Sequence, residues 1–253
     1  SVITKFSSPV TDLPSTGWTF LRPNNGWEVV FKCGTPCPPH LPAHVHSDQL
    51  SFELIYRGRY VLSECGTSVY MNGPVRDFER SSASHNVLQL GLSQHSGIIQ
   101  WVEPVEVWGS FRAARKCRPS NRLSGELSNG PLFAQGSHNG FNSIGAQHLR
   151  RLEFSSNNSN SAVLSIFDTV VVSQSTYFRQ WWHLAPDINP SLFDNFTFSC
   201  PTSKKLQTTW HDTWFSCSFG NRVLRKSLCI HGLLEPGEHF LTSSLLLNHH
   251  ILS

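Results

Sequence analysis

Three histidines frame one stretch of this chain: His44 and His46, one residue apart, and His85 at its far end. Imidazole moves protons near neutral pH and is the commonest side-chain ligand of a metal ion. Between the histidines lie Glu64, a carboxylate, and Arg76 and Arg80, whose guanidinium groups pair bidentately with carboxylates. Such residues suit two kinds of chemistry, proton transfer on an acidic substrate and coordination of a cation. The competing explanations are structural: a hydrogen-bonded polar pair for Glu64 and His85, and surface ion pairs with Asp77 or Glu79 for the arginines.

The elements that must position these groups are short strands. Cys33 to Pro42 holds four prolines, which exclude a helix and a central strand and leave a loop that delivers His44. From Gln49 to Tyr56 the residues alternate, with Leu50, Phe52, Leu54 and Tyr56 on one side of a half-buried strand. Arg57-Gly58-Arg59 reads as a three-residue hairpin loop into a partner that carries Tyr60, Leu62 and Glu64 in phase. That register sets Tyr56 against Tyr60, Leu54 against Leu62 and Phe52 against Glu64. Glu64 then lies on an apolar face, where a carboxylate needs a charged partner. It also leaves His46 six residues back, roughly 20 Å along a straight strand, so a shared site demands that the chain fold back near Ser47 to Gln49.

Further strand-like runs are Trp27 to Lys32, Asn86 to Leu92, Ile98 to Trp108, Gln147 to Phe154, Ala162 to Val172 and Thr176 to His183, followed by Leu206 to Trp210, Trp214 to Phe219, Val223 to Ile230 and Phe240 to Leu247. Gly, Asn, Ser and Pro clusters separate them at the intervals of a β-sandwich. Eight Trp and 17 Phe against a single Met, with 17 Gly and 15 Pro, agree with many strands and turns rather than long helices. The expected fold is all-β, an antiparallel two-layer sandwich forming one domain over residues 1–253, with the polar tip at 155–161 as a candidate internal boundary. Trp101, Trp108, Trp181 and Trp182 are candidates for stacking on sugar rings, with packing in the core the favoured alternative.

Lys and Arg number 20 against 17 acidic residues, a net +3 that gives no electrostatic case for nucleic acid. No apolar run approaches the roughly 18 residues of a membrane span. The opening SVITKFSSPV has neither the features of a signal peptide nor an initiator Met, so the chain is expected to be a processed product or a piece of a longer protein. The seven scattered cysteines read as free thiols.

The stretch from His44 resembles the C-terminal β-sheet domain of the heparinase II/III-like polysaccharide lyases. The residues that carry the resemblance are His44-Val45-His46-Ser47-Asp48 before Leu50-Ser51-Phe52-Glu53-Leu54, then Glu64-Cys65-Gly66-Thr67, Glu79-Arg80-Ser81 and His85-Asn86. A weaker echo lies in Gly136 to Gly140 with Arg150 and Arg151. The resemblance implies a supersandwich-like β domain and β-elimination on an acidic, uronate-containing polysaccharide: a proton leaves C5 and the 4-linked sugar departs. It implies that His44 takes part in proton transfer, and that His46, Glu64 and His85 hold a structural zinc, with Glu64 standing where the family usually has Asp. It implies an N-terminal α/α-toroid domain as partner, supplying a catalytic Tyr and a His or Asn; Tyr70 is the local candidate for that Tyr. Arg76 and Arg80 would bind the polyuronate, and the location implied is the periplasm, cell envelope or extracellular space. Two other expectations stand beside the lyase: a non-catalytic carbohydrate-binding or scaffold domain with a structural zinc, and a cupin-like metalloenzyme using the H-x-H pair with Glu53 and His85. Glu53 has the opposite strand parity to His44 and His46, which ranks the last reading lowest.

Overall fold

The computed structural model describes residues 8–23, 25–38, 40–128, 130–158 and 161–248, the side chains of 157 and 158 excepted. Strands β1 (Val10–Leu13), β2 (Trp18–Leu21), β3 (Trp27–Lys32), β4 (Phe52–Tyr56) and β5 (Arg59–Leu62) make a sheet in sequence order. Helix α1 (Pro74–Arg80) follows, then β6 (Leu88–Ser93), β7 (Ile99–Trp101) and a ribbon of β8 (Val105–Trp108) with β9 (Arg112–Lys116). The remaining strands are β10 (Pro119–Glu126), β11 (Leu132–His138), β12 (Ala146–Asn158), β13 (Ser161–Val172), β14 (Thr176–His183), β15 (Phe196–Ser199), β16 (Lys204–Phe215), β17 (Val223–Leu234) and β18 (Gly237–Asn248). A six-stranded sheet runs β10-β11-β12-β13-β18-β15 and a second five-stranded sheet runs β16-β17-β14-β6-β7. Neither five-stranded sheet nor the six-stranded one closes into a barrel.

Two-residue periodicity makes the layers. Along β13 buried and half-buried residues alternate. Ala162, Leu164 and Ile166 meet Val29, Phe31 and Leu54 of the first sheet and Trp182 and Ile230 of the third in one core. Val170 and Val172, further along the same face, meet Leu88, Leu90 and Phe178 in a second core. The six-stranded sheet is therefore one layer, and the two five-stranded sheets share the other. The polar tip at 155–161 joins β12 to β13, which pair with each other along their length; residues 159 and 160, at its centre, lie outside the described residues.

Four sequence expectations change in detail. The hairpin after β4 turns through two residues, not three, because Arg57 (φ 49°) and Gly58 (φ 80°) both take the left-handed conformation of a tight turn. Tyr56 then faces Arg59 and Ile55 faces Tyr60, and a bulge between Leu54 and Ile55 restores Leu54 opposite Leu62. Glu64 falls beyond the end of β5 and opposes no residue of β4. The run Ile98 to Trp108 is two strands broken around Pro104, whereas Leu206 to Trp210 and Trp214 to Phe219 merge into the single strand β16, which ends at Phe215.

The inner face of β13 is interrupted by Asp168, fully buried between Ile166 and Val170. Arg150 answers it with two bonds, Nε at 2.7 Å and Nη2 at 3.0 Å, while His148 Nε2 meets it at 2.7 Å and Gln180 Nε2 donates at 2.8 Å. The same guanidinium donates from Nη1 to the carbonyls of Leu50 and Asn86, each at 3.0 Å. One buried ion pair thus ties the six-stranded sheet to both ends of the histidine stretch. Replacing Asp168 by Asn leaves Arg150 buried without its counter-charge and is expected to cost about 3–5 kcal/mol in denaturant unfolding; a loss below about 1 kcal/mol would show that the pair does not hold the layers together.

Candidate functional site

His46, Glu64 and His85 come from three separate segments; Glu64 and His85 meet, and His46 stands beside His85. The chain folds back after Ser47, as the sequence required: Leu50 adopts φ 60°, its N–H donates to the carbonyl of Lys32, and Ser51 N–H donates to Asp48 O. His85 Nδ1 lies against Glu64 Oε2, and the His46 and His85 rings stand 5.4 Å apart between centroids. His46 Nε2 lies 3.5 Å from Thr67 Oγ1. With Glu64 ionised and His85 neutral, the imidazole proton sits on Nδ1, so Nε2 carries a lone pair. That Nε2 and Glu64 Oε1 are buried with no hydrogen-bond partner among the described residues. Among those residues, no group of three or more His, Cys, Asp and Glu side chains is placed as a metal-binding cluster. His46 would have to turn from Thr67 to join the Glu64–His85 pair.

His44, two residues before His46, lies at the surface in a patch of aromatic rings. Tyr70 stands 5.6 Å from it and Phe111 6.3 Å, and Tyr70 is also 4.9 Å from Phe219. Tyr70, Phe111 and Phe219 are 38%, 46% and 61% exposed, so the patch is open. His44 and Tyr70 are thus side by side on an accessible face.

The two arginines occupy helix α1, and both are fully buried rather than at the surface. Arg80 donates to the carbonyls of Val45 (2.9 Å), Gly109 and Arg112 (3.1 Å). Arg76 donates to Thr67 Oγ1 and Ser110 O, each at 3.3 Å, and lies 5.3 Å over the Tyr70 ring. Neither arginine has an ion pair with Asp77 or Glu79 among the described contacts; Glu79 Oε1 instead accepts from the backbone N–H of Ser68 at 3.0 Å.

Arg225 and His183 were not singled out in the sequence. Arg225, on β17 and 2% exposed, donates from Nη1 to the carbonyls of Ser63 (2.8 Å) and Glu64 (3.2 Å) and from Nη2 to that of Ser84 (3.4 Å). It therefore clamps the two backbone segments that carry Glu64 and His85. His183, fully buried at the end of β14, bonds Ser227 Oγ through Nδ1 at 2.7 Å. The available signal was an arginine in phase with Ser227 and Cys229 on β17, a strand that otherwise reads as core.

Burial sets the protonation states. Loss of water pushes His46 down to about 4 and His85 to about 3, with the Asp48 carboxylate pulling the other way in each case. Burial likewise raises Glu53 to about 7, opposed by Arg225. Glu53 Oε1 accepts the N–H of Glu64 at 3.1 Å, so it supports the backbone of the site rather than joining the imidazoles.

Comparisons with known proteins agree with the fold. The family model described as "Heparinase II/III-like, C-terminal" matches residues 7–236. A search of curated proteins gives no significant match. Among solved structures, a heparinase III with methylated lysines superposes at TM-score 0.68 and 14% identity, covering 96% of this chain and 36% of that one. Heparan sulfate lyase HepC from Pedobacter heparinus gives 0.67 and 15%, covering 96% and 37%. This chain therefore spans a little over a third of the length of those structures.

Two measurements follow from the geometry. Below about pH 6.5 the unfolded chain takes up protons that folded His46, His85 and His138 (held to about 3 by burial) refuse, so folding weakens as pH falls, by about 1.4 kcal/mol per pH unit for each group. Glu53 acts oppositely between about 4.5 and 7, one group against three. The melting temperature is expected to be lower at pH 5 than at pH 7; an equal or higher value would contradict the buried neutral imidazoles. Arg225→Met removes the donors to three buried carbonyls and is expected to cost at least about 2 kcal/mol in denaturant unfolding, with a near-neutral result showing that the clamp is dispensable.

Proposed function

The chain belongs to the heparinase II/III-like C-terminal family, and on that premise we propose that it is the β-domain half of a polysaccharide lyase acting on a uronate-containing polymer by β-elimination. The observation that carries this is the placement of His44 beside Tyr70 on an open face, in the same segment as His46, which stands beside the Glu64–His85 pair.

In β-elimination the C5 proton is removed, the C4–O bond breaks, a C4=C5 double bond forms and the departing oxygen is protonated. His44 is the exposed imidazole available to move a proton at the sugar, and Tyr70 is the phenol within reach of the same surface. The charge of the uronate must also be neutralised. Arg76, though fully buried, is the nearer candidate, because its guanidinium lies against the Tyr70 ring whereas Arg80, among the described residues, donates only to backbone carbonyls. The remaining catalytic groups belong to an N-terminal α/α-toroid domain of the parent polypeptide, so the 253-residue chain by itself is expected to be inactive.

A structural zinc is part of the proposal. The donor types suit it, and the unpartnered Glu64 Oε1 and His85 Nε2 favour a cation there. His46, Glu64 and His85 would hold it, and it would neutralise Glu64 and fix the segment that follows His44. The location proposed is the cell envelope or outside the cell, where a polymer too large to cross a membrane is met; among the described residues no helix is long and apolar enough to span one.

The parent polypeptide is expected to raise ultraviolet absorbance when mixed with a polyuronate, as the unsaturated product accumulates, and His44→Ala to slow that rise about 10²- to 10⁴-fold. Absence of a rise with every polyuronate tried would remove the lyase assignment and leave the non-catalytic, carbohydrate-binding alternative. Elemental analysis is expected to find one zinc per chain, and a chelator to lower the melting temperature. A metal-free chain with an unchanged melting temperature would remove the zinc alone.

A further inference from the structure

The outer face of the sheet β16-β17-β14-β6-β7 runs out from under the histidine stretch. Strand parity places Arg179, Trp181 and His183 of β14 on this face, level with His231, Cys229 and Ser227 of β17 and with Gln89 of β6. His183 and Ser227 are fully buried, at the end where the sheet meets the segment of His85. At the other end Trp101, Arg179 and His231 are half-buried; His211, level with Ser227, is exposed, and its ring lies 5.3 Å from that of Trp181. Gly91, paired with Tyr177 and Trp101, has no side chain to lift the indole; a Cβ there would meet Trp101 Cε3 at 2.9 Å.

Arg179 is fixed between two indoles, 4.1 Å from the ring centroid of Trp101 and 5.3 Å from that of Trp181. Its Nε donates to Gln89 Oε1 at 2.6 Å, an oxygen that also accepts from Trp181 Nε1 at 3.1 Å. Gln89 Nε2 donates to Glu103 Oε1 at 3.1 Å, and Glu103 Oε2 accepts from the N–H and hydroxyl of Ser82 at 2.8 and 2.6 Å. The guanidinium is thus oriented by a chain of bonds that reaches the turn before His85. Its Nη1 and Nη2 have no hydrogen-bond partner among the described residues. Here Arg179 differs from Arg80, Arg150 and Arg225, each of which directs Nη donors at backbone carbonyls. A half-buried, pre-oriented fork with unmatched donors fits one class of ligand, a planar or trigonal anion.

We propose that Arg179, clamped by Trp101 and Trp181, with His231 level with it and His211 against Trp181, is a second saccharide subsite on the outer face of this sheet that takes an anionic sugar substituent, a carboxylate or a sulfate. Its assignment to a sugar rests on the acidic-polysaccharide function above; its preference for an anion does not. Trp181 is 7% exposed and serves as a clamp, so recognition falls to the Arg179 fork and the edge of Trp101.

The test is calorimetric binding to the 253-residue chain of three probes: tetragalacturonate, which carries only carboxylates, sulfated maltotetraose, which carries only sulfates, and unmodified maltotetraose. At least one anionic probe is expected to bind and the neutral one not to. Arg179→Gln is expected to weaken that binding by at least about tenfold, and Arg179→Lys, which keeps the charge and loses the fork, by less. Trp101→Leu, which keeps Arg179 and removes half of its clamp, is the second variant and is expected to weaken binding several-fold. Melting temperatures identify any variant that fails to fold. Binding unchanged by both Arg179→Gln and Trp101→Leu, equal binding of the neutral probe, or no binding of either anion would overturn the subsite. Failure of the lyase function is read separately: a parent that cleaves no polyuronate, with Arg179-dependent binding of an anion intact, removes the enzyme and keeps the subsite.

Discussion

Backbone that leaves a sheet and is then buried must find partners for its carbonyl oxygens, and that constraint governs this structure. The stretch between His44 and His85 is mostly irregular, yet much of it is buried against two sheets. Three buried guanidinium groups meet the need. Arg80 serves Val45, Gly109 and Arg112; Arg150 serves Leu50 and Asn86; Arg225 serves Ser63, Glu64 and Ser84. A guanidinium suits this work because its donors lie in one plane and diverge, so one side chain can hold two or three strands of loop at once. Only Arg150 has a carboxylate bonded to it, which shows that the three were placed for their donors as much as for their charge.

The arrangement explains how imidazoles so far apart in the chain share one place. Arg80 fixes the segment of His46 from its Val45 carbonyl, Arg225 fixes Glu64, and Arg225 with Arg150 fixes the segment around His85. The paired groups are thereby held in place, and His44 and Tyr70, which are not buried, lie on an accessible face next to Arg76, which bonds Thr67 beside His46. Rigidity in the paired groups and access at the surface is the division that proton transfer on a polymer requires, since the chemistry depends on position to within fractions of an ångström while the substrate must slide in from outside.

The sequence made much of this legible. The runs read as β3, β13 and β14 kept their bounds nearly intact; in β13 one face packs on a core and the period of two survives, whereas β3 and β14 are short aromatic and β-branched runs buried in part on both faces. Alternation passed over β10, whose residues are polar and largely exposed at the sheet edge, β11, whose buried second half (Gly136, Ser137 and His138) lacks apolar residues, and β1 and β2, which lie among turn formers. The hairpin register slipped by one because a bulge cannot be seen in a pattern that is apolar on both sides of it. At the candidate site, residue type and local motif singled out His44, His46, Glu64 and His85, but distance in sequence hid Arg225, which is 161 residues from Glu64. Arg76 and Arg80 looked like surface ligands, since nothing in a heptapeptide with two arginines and two acidic residues announces a helix whose arginines are buried.

The most direct check of this arrangement is histidine NMR on the chain labelled with ¹³C at the imidazole carbons, with resonances assigned by single substitutions, during titration with a polyuronate oligosaccharide. His44 is expected to shift with added saccharide while His85, which is buried, moves far less and stays neutral down to about pH 5. A titration in which saccharide binds and His44 is unmoved, or in which His85 protonates like a free imidazole near pH 6.5, would contradict an accessible substrate face together with a buried, neutral imidazole.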